Sequence, residues 1–284
     1  MPSRSEIPKT IWMLWLQGLE NAPWLVQQCI TSWQQQNPNW TVQILSRDNL
    51  HQFQPPGITQ ACWQRLSHQK QANLGRLQLL LNHGGVWADA TTLCRKPLDA
   101  WIHNQCDQGF FAFANPGPDR PLSNWFLVSR PGHPLTEAWL DKQLSYFESQ
   151  PQVKHRSLLQ RGAFRMLEKV CRISKPLSQL WFYPGIGRLT GGQEPYFIAH
   201  YCFTRCVQDN KNLNAIWTKV PKISAEKAHL AKRLHARDQT GLNTTRNVAE
   251  LMECDAPVYK LCWKSIQTHE GDNGLISQLL ATTP

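Results

Sequence analysis

The sequence predicts an α/β fold, a parallel sheet flanked by helices, and three observations predict it. A strand-like stretch at residues 7–16, a helical stretch that begins near Pro23 and a strand-like stretch at residues 40–45 follow one another, and this order is typical of parallel sheets. A longer helical pattern then leads through two glycines into a short apolar strand. The chain has 284 residues, 41% of them hydrophobic, which is enough to bury the core of one such domain.

The first predicted strand ends near two tryptophans, Trp12 and Trp15. An aromatic ring at the end of a first strand could stack on a nucleotide base, although packing in the core is the commoner role. Pro23 favours a helix start, apolar residues recur at helical spacing as far as Trp33, and Pro38 ends that helix. Residues 40–45 are rich in residues that favour strands.

The middle of the chain contains a helix, a break and a short strand. Leucines at three- and four-residue steps form one apolar stripe: Leu74, Leu77 and Leu81. Gly84 and Gly85 end the helix, because glycine readily adopts the left-handed backbone of a helix exit. Residues 86–88 then form a predicted buried strand.

Asp89 is the first charged residue after this strand. Ligands of open α/β sheets bind beyond the carboxyl ends of the strands, and the small Ala90 and Thr91 leave room for a divalent cation with the diphosphate that it would bridge. Asn73 and Arg76 share a face of the preceding helix, from which a forked guanidinium could bind phosphate. A turn in which Asp89 caps a local backbone amide explains the same residue equally well.

The next elements are predicted from length and composition. Residues 99–103 are expected to form a short helix, residues 110–114 and 125–129 buried strands, residues 115–119 a turn or loop, and residues 134–146 a helix. The glycines of residues 184–192 indicate a loop that can move, and flexible loops close over the substrate in many enzymes.

Residues 158–175 form a predicted amphipathic helix. Its basic face carries Arg161, Arg165, Lys169 and Arg172, and its apolar face carries Leu159, Ala163, Met166, Val170 and Ile173. We expect an ordinary solvated basic face on a helix whose apolar side covers a core. The alternative is that the basic face docks on anionic lipid.

The net charge of +10 is concentrated in the second half of the chain. Residues 1–150 hold 11 Lys and Arg against 10 Asp and Glu, whereas residues 151–284 hold 19 against 10. Such a surface attracts polyanions of several kinds. The sequence contains no apolar run long enough for a membrane span, no signal peptide is predicted, and the nine unpatterned cysteines favour free thiols. The protein is therefore expected in the cytoplasm, with peripheral contact at the inner face of the membrane as the further possibility.

Four blocks follow one another along nearly the whole chain. They are Ile-Pro-Lys-Thr-Ile-Trp from residue 7, Gly-Gly-Val-Trp-Ala-Asp-Ala-Thr from residue 84, Ser-Asn-Trp-Phe from residue 123, and Ala-Pro-Val-Tyr-Lys-Leu-Cys-Trp-Lys from residue 256. In this order they resemble the capsular polysaccharide synthesis protein family. Its relatives are sugar transferases with an Asp-x-Asp motif, among them the initiating mannosyltransferases of yeast.

The resemblance implies a nucleotide-diphospho-sugar transferase (GT-A) fold with a helical C-terminal part. The chain would be a single domain with a donor-binding half at residues 1–135 and an acceptor and C-terminal half at residues 136–284. The implied activity moves a sugar from a nucleotide-diphospho-sugar donor to a glycan or lipid-linked acceptor in capsular or surface polysaccharide biosynthesis. Asp89 is the expected catalytic residue and the ligand of a weakly held Mn²⁺ or Mg²⁺.

The remaining site residues follow from the same resemblance. The donor site is expected to contain Trp15, Gln17, Asn73, Arg76, Thr91, Lys260 and Lys264. The acceptor site is expected to contain Asn124, Trp125 and His200, although Asn124 could instead cap a turn and His200 could pack in the core. No residue stands out as a catalytic base, which fits a retaining reaction in which the leaving phosphate takes the acceptor proton.

Three positions depart from the family pattern. Relatives commonly have Asp where this chain has Asn73, and the second Asp of the metal motif is Thr91, as in much of the capsular branch. The closing block often has His where this chain has Tyr259. These departures motivate a second hypothesis, a non-catalytic protein that binds glycans or sugar nucleotides on the same fold. A nucleic-acid binder would rest on charge alone, because no binding motif accompanies it, and no nucleic-acid partner is expected.

Overall fold

A mixed β-sheet lies between layers of helices in the computed structural model, which describes residues 6–150, 156–238, 243–266 and 274–282. The main sheet has five strands: β1 (Thr10–Leu14), β2 (Thr41–Leu45), β3 (Gly85–Ala88), β5 (Phe110–Gly117) and β6 (Arg120–Ser129), in the order β2-β1-β3-β6-β5. A separate antiparallel pair consists of β4 (Thr92–Cys94) and β7 (Val258–Lys260).

The helices surround both sheets. They are α1 (Trp24–Gln36), α2 (Arg47–Leu50), α3 (Gln60–Arg65), α4 (His68–His83), α5 (Pro134–Ser149), α6 (Leu158–Cys171), α7 (Lys175–Ser178), α8 (Ile186–Leu189), α9 (Ile198–Asp209), α10 (Lys211–Lys219), α11 (Leu230–Arg237), α12 (Thr244–Glu253) and α13 (Leu275–Thr282). The α/β class predicted from the sequence is therefore confirmed.

The main sheet is parallel on one side and antiparallel on the other. Strand β1 pairs in parallel with both β2 and β3, as the order of strand, helix and strand predicts. Strand β6 pairs antiparallel with β5, because a tight turn joins the two and such turns connect antiparallel neighbours. It also pairs antiparallel with β3. The carboxyl ends of β1, β2 and β3 consequently meet at one edge of the sheet.

Two glycines make the passage from α4 to β3 possible. Gly84 has a φ of 66° and its N–H donates to the carbonyl of Leu80, which closes the last turn of α4. Gly85 has a φ of 97°, and a Cβ at this position would lie 2.5 Å from the carbonyl oxygen of Thr10. Only glycine fits both positions without strain, and this fixes where Asp89 emerges after β3.

The strands bury side chains on both faces of the main sheet. Trp87 packs on one face with residues of α4, α5 and α9, including Leu77, Trp139 and Phe203. Its neighbour Val86 points to the other face, among residues of α1 and β6 such as Trp33 and Phe126. This alternation is the two-residue period of a strand buried on both sides.

A third cluster of buried residues connects the C-terminal helices to β4. Leu93 of β4 and Tyr259 of β7 pack there with Leu25 of α1, Leu251 of α12 and Ile276 of α13. The pairing of β4 with β7 places Thr92 opposite Lys260. The C-terminal segment is thereby held against the chain immediately after Asp89.

Two local predictions are wrong. Residues 115–117, predicted as part of a turn, continue strand β5, and the turn comes at Pro118 and Asp119; pairing with β6 overrides the local preference of a Pro-Gly sequence. The helix predicted at residues 99–103 is instead two single turns of 3₁₀-helix, Leu98–Ala100 and His103–Gln105.

Helix α6 does not bury its apolar stripe, contrary to the expectation from the sequence. Leu159 and Met166 of α6 are 86% and 68% exposed, and Ile173, two residues beyond the end of the helix, is 63% exposed. Its inward side carries Phe164, Leu167 and the fully buried Cys171. Periodicity identifies the faces of a helix but not which face meets the core, and here the basic and apolar stripes lie side by side toward solvent.

A search of the described residues finds no helix that is both long and apolar enough to cross a bilayer.

Candidate functional site

Asp89 lies directly after β3, at the edge where the parallel strands end. Its N–H donates to the carbonyl of Trp125 on β6 at 2.8 Å, and its own carbonyl accepts from the N–H of Thr92 at 2.8 Å. These bonds at either side of the residue fix its backbone. The side chain remains 28% exposed, so the carboxylate can meet a ligand as well as its neighbours.

Arg76 reaches one oxygen of Asp89 from helix α4. Its Nη2 lies 3.4 Å from Oδ1 of Asp89, its Nη1 donates to the carbonyl of Asn124, and its guanidinium lies 4.7 Å from the centre of the Trp87 ring. The Trp87 indole N–H donates to the same Oδ1 at 3.0 Å. The Arg76 side chain is only 8% exposed, so its direction is fixed by packing and hydrogen bonds.

Lys260 reaches the other oxygen of Asp89 from strand β7. Its Nζ lies 3.2 Å from Oδ2 of Asp89 and donates to Oγ1 of Thr91. The N–H of Leu261 donates to the carbonyl of Thr91 at 2.8 Å, which extends the contact between β4 and β7. Lys260 therefore contacts both polar side chains of the Asp-Ala-Thr sequence.

Two asparagine side chains complete this side of the site. Nδ2 of Asn124 donates to Oδ1 of Asn73 at 3.1 Å, and Asn124 also accepts from Arg76 through its carbonyl. Asn73 and Arg76 share a face of α4, as their spacing predicts. The structure thus brings together six of the predicted site residues: Asn73, Arg76, Asp89, Thr91, Asn124 and Lys260.

Asp89 and its two cationic neighbours, Arg76 and Lys260, stabilise one another in their charged forms. Burial acts to raise the pKa of Asp89, but Lys260, Arg76 and the Trp87 hydrogen bond together outweigh it, so the pKa lies below its ordinary value. Burial lowers the pKa of Arg76, and Asp89 and Tyr196 oppose that shift; a guanidinium keeps its charge in such surroundings. One carboxylate between two cations leaves a net positive charge toward the opening.

The side chains of this cluster do not fit a resident divalent cation. Both oxygens of Asp89 and the hydroxyl of Thr91 are engaged by cations or hydrogen-bond donors. Tyr259 points away: its hydroxyl donates to the carbonyl of Leu251 at 2.7 Å and its ring lies beneath Arg95. In the described part of the chain no three His, Cys, Asp or Glu side chains come together as a metal site. A metal at Asp89 stays a prediction from the resemblance.

The two predicted base-binding residues lie at the same edge of the sheet. Gln17 lines an open cleft of about 680 Å³ beyond the ends of β1 and β2. Residues 16, 18–21 and 46–48 line the same cleft. The ring of Trp15 meets the edge of Trp263 at 5.5 Å, and Lys264 lies 5.8 Å from the Trp263 ring. The buried indole nitrogen of Trp15 has no hydrogen-bond partner among the residues that the structure describes.

The predicted acceptor residues lie in different surroundings. Trp125 is buried and stacks on Phe113 at 5.1 Å. His200 is buried on α9, and burial, followed by Arg120 and Arg76, lowers its pKa to about 3, so its imidazole is neutral. Its Nδ1 has no partner within the described ranges. The Asn124 side chain contacts the cluster around Asp89, whereas Trp125 contacts it through its backbone carbonyl, which accepts from the N–H of Asp89.

Sequence reasoning missed three residues of the site. Trp87 orients Asp89, and only its position two residues before the aspartate indicated such a role. The Trp263 ring contacts the Trp15 ring and lies near the Lys264 ammonium. In the sequence, Trp263 was noted only as a member of the block that begins at residue 256. Tyr196 lies close enough to affect Arg76, and its N–H donates to Glu168 of α6 at 3.2 Å; no spacing in the sequence indicates that contact.

Comparison with known proteins finds similarity to one protein family and to proteins named as glycosyltransferases. The family model described as "Capsular polysaccharide synthesis protein" matches residues 1–167. "Glycosyltransferase afumC" of Aspergillus fumigatus is 30% identical over 150 residues, covering 46% of this chain and 38% of that protein. "Initiation-specific alpha-1,6-mannosyltransferase" of Candida albicans is 25% identical over 162 residues, covering 48% of this chain and 42% of that protein. The chain thus spans less than half the length of these relatives.

A solved structure, "PaToxG Glycosyltransferase", aligns with 74% of this chain and 83% of its own at 15% identity and a TM-score of 0.40. A likeness this loose carries no weight for function.

Proposed function

The chain belongs to the capsular polysaccharide synthesis protein family, and we propose that it is a glycosyltransferase that takes its sugar from a nucleotide-diphospho-sugar. The acceptor would be a glycan or a lipid-linked glycan in capsular or surface polysaccharide assembly, and the fold would be of the GT-A type. The observation that carries the proposal is Asp89 held between Arg76 and Lys260 where the parallel strands end. Relatives named as glycosyltransferases support the same reaction class.

The chemistry is electrostatic. Breaking the bond between sugar and phosphate builds negative charge on the leaving diphosphate, and preorganised cations stabilise that charge most effectively in a site with little water. Arg76 and Lys260 would bind the diphosphate. Asp89 acts as a positioning residue, because it holds both cations before the donor arrives. A guanidinium fixed by packing loses little freedom on binding, which favours the transition state.

Other residues would bind the remaining parts of the donor. Asn73 and Asn124 present amides beside Arg76, suited to hydroxyls of the sugar or ribose. The nucleotide base would lie near Trp15 and Trp263, with Gln17 in the adjoining cleft and Lys264 at the rim. The unpartnered indole N–H of Trp15 is a donor that a bound base could satisfy.

The acceptor is proposed to enter on the side of Asn124, Trp125 and His200. The low pKa of His200 keeps its imidazole neutral near pH 7, so its unpartnered ring nitrogen can accept a hydrogen bond from an acceptor hydroxyl. We propose a retaining reaction, in which the leaving phosphate itself removes the acceptor proton. No covalent intermediate with a protein group is needed for that route.

We propose that the protein acts in the cytoplasm at the inner face of the membrane. All nine cysteines are unpaired, as is usual in a reducing compartment. The exposed apolar stripe of α6 lies beside its basic stripe. Helices that rest on anionic lipid present this combination of surfaces. Glu168 of α6 binds the backbone of Tyr196, near Arg76, so this surface adjoins the proposed acceptor side.

A non-catalytic sugar-nucleotide binding protein is the second candidate, because Asn73 and Thr91 replace carboxylates of the family pattern. Of the two candidates, only the glycosyltransferase would release nucleoside diphosphate from a donor. Purified protein is incubated with a panel of uridine, guanosine and other nucleotide-diphospho-sugars, with and without Mn²⁺, and release of nucleoside diphosphate is measured. We expect release from at least one donor, reduced about 100-fold or more in Arg76→Gln and unchanged in the exposed control Arg205→Gln. Binding without release would favour the second candidate.

A further inference from the structure

We infer that Lys260 and Arg76 replace the divalent cation of the Asp-x-Asp pattern, so that this site binds the diphosphate of its donor without a metal. The inference rests on the proposed function and gives its donor site a specific chemistry. It starts from the position of one atom: Nζ of Lys260 contacts Oδ2 of Asp89 and Oγ1 of Thr91. These are the two oxygens that the motif would offer to a metal.

The position of the ammonium group leaves a metal no favourable place. Mg²⁺ binds carboxylate oxygens at about 2.1 Å, and Nζ of Lys260 already lies 3.2 Å from Oδ2 of Asp89. The other oxygen, Oδ1, accepts from Trp87 at 3.0 Å and faces Arg76 at 3.4 Å. A cation added at either oxygen would meet a fixed positive charge at short range, which is strongly unfavourable in a partly enclosed site.

The charges of the substituted motif balance without a metal. Two carboxylates and a divalent cation sum to zero. Asp89, the neutral Thr91 and the ammonium of Lys260 sum to zero as well. With Thr91 in place of the second carboxylate and the ammonium of Lys260 in place of the metal, the motif keeps the charge of its metal-loaded form, and Arg76 supplies the additional positive charge for the diphosphate.

The strand pairing explains how the lysine reaches this place. Lys260 follows Tyr259 on β7, and successive side chains of a strand point to opposite faces. Tyr259 is buried against Leu251 and Arg95, so Lys260 turns toward Thr91 and Asp89. Its side chain keeps 18% of its surface exposed, and an ammonium has three N–H donors, so it can keep its contacts with Asp89 and Thr91 while it donates to a phosphate oxygen.

The closing experiment measures binding of uridine and guanosine diphosphate to the full chain by calorimetry, in EDTA and in Mn²⁺. We expect at least one of the two to bind, with the same dissociation constant within about twofold in both buffers. Lys260→Ala should weaken that binding about 10- to 100-fold. Lys260→Arg should retain metal-free binding, and the exposed Lys219→Ala should bind as the wild type does.

A double variant provides the reverse test. Thr91→Asp with Lys260→Ala restores two carboxylates and removes the ammonium, so we expect diphosphate binding that requires Mn²⁺. Titration with Mn²⁺ alone should show saturation in the double variant and none in the wild type. Should Lys260→Ala fail to fold, the binding of Lys260→Arg and the comparison of wild-type binding in EDTA and in Mn²⁺ still test metal-free recognition of the diphosphate.

The outcomes separate the two proposals. Wild-type binding that appears only with Mn²⁺ overturns metal-free recognition and leaves the proposed donor class intact. Absence of binding to any nucleoside diphosphate in both buffers, together with no donor turnover, overturns the proposed function itself. Equal binding in EDTA and Mn²⁺ that Lys260→Ala does not weaken removes Lys260 from the site.

Discussion

The guanidinium of Arg76 lies 4.7 Å from the centre of the Trp87 ring, and both groups contact the same oxygen of Asp89. A cation above an aromatic face is attracted to it, and the indole N–H holds the carboxylate that pairs with the cation. The three side chains therefore form one unit, in which a change to any member alters the other two.

Asp89→Asn should reduce donor turnover at least about 100-fold, because Arg76 and Lys260 lose the group that positions them. The free energy of unfolding should also fall, by about 1–3 kcal/mol, since Arg76 is left buried beside a neutral amide. Nucleoside diphosphate release and chemical denaturation measure the two effects. The exposed Asp209→Asn should change neither, and near-normal turnover of Asp89→Asn would contradict the assignment.

Trp87→Phe should move the acid limb of the pH–activity profile to higher pH. The Trp87 hydrogen bond is among the contacts that hold the pKa of Asp89 below its ordinary value, and removing it lets that pKa rise. Asp89 then becomes protonated, and loses its hold on the cations, at a higher pH than in the wild type.

Trp139→Phe is the matched control, because its indole N–H donates to the carbonyl of Ala199 in the same core, away from Asp89. Both variants should lose about 1–3 kcal/mol of stability. An acid limb that shifts equally in both would show that packing, and not the hydrogen bond to Asp89, is responsible.

Stability should fall as the pH drops below about 6.5, the ordinary pKa of histidine. Burial, then nearby positive charges, lowers the pKa of His200 to about 3, and burial lowers that of His133 to about 4. Below about pH 6.5 these histidines are therefore protonated in the unfolded chain and neutral in the folded chain. Each histidine then lowers the free energy of unfolding by about 1.4 kcal/mol for each pH unit that the pH falls.

His200→Gln should flatten this pH dependence by about one proton between pH 6 and pH 4, relative to the exposed control His51→Gln. Denaturant midpoints across that range measure the slope. An unchanged slope in His200→Gln would mean that the imidazole is accessible to protons in the folded chain.

Helix α6 should bind vesicles of phosphatidylcholine with phosphatidylglycerol more strongly than vesicles of phosphatidylcholine alone. Met166→Ser should weaken binding to both, whereas Lys169→Gln should weaken only the anionic preference, by about fivefold. Co-sedimentation measures both, with the exposed Lys219→Gln as control. Equal binding of the wild type to neutral and anionic vesicles would exclude the lipid role of the basic stripe.

Local patterns predicted the centre of the fold well. The leucine stripe predicted α4, and Gly84 and Gly85 predicted the end of α4 and the start of β3. They could do so because the end of a helix and the start of a strand depend on backbone geometry that few residues can adopt. The spacing of Asn73 and Arg76 predicted their common face. The parallel pairing of β1 and β2 followed from the order and length of the elements between them.

The contacts that sequence reasoning did not predict are those made between distant parts of the chain. Lys260 was expected in the donor site, but its contact with Asp89 and Thr91 depends on the pairing of β4 with β7, which no local period encodes. The exposure of Met166 depends on which side of α6 meets Cys171 and the core. Residues 115–117 became strand because β6 supplies a partner that outweighs their local preference for a turn.

The pairing of β7 with β4 also sets the order in which the site is assembled during synthesis. The main sheet and Arg76 are encoded before residue 130, whereas Lys260 leaves the ribosome much later. The residues that cover the Trp87 face of the sheet extend to Val220, so this core is also encoded before the second cation. A chain that ends before β7 would lack Lys260, and the proposed donor site would then contain one of its two cations, Arg76.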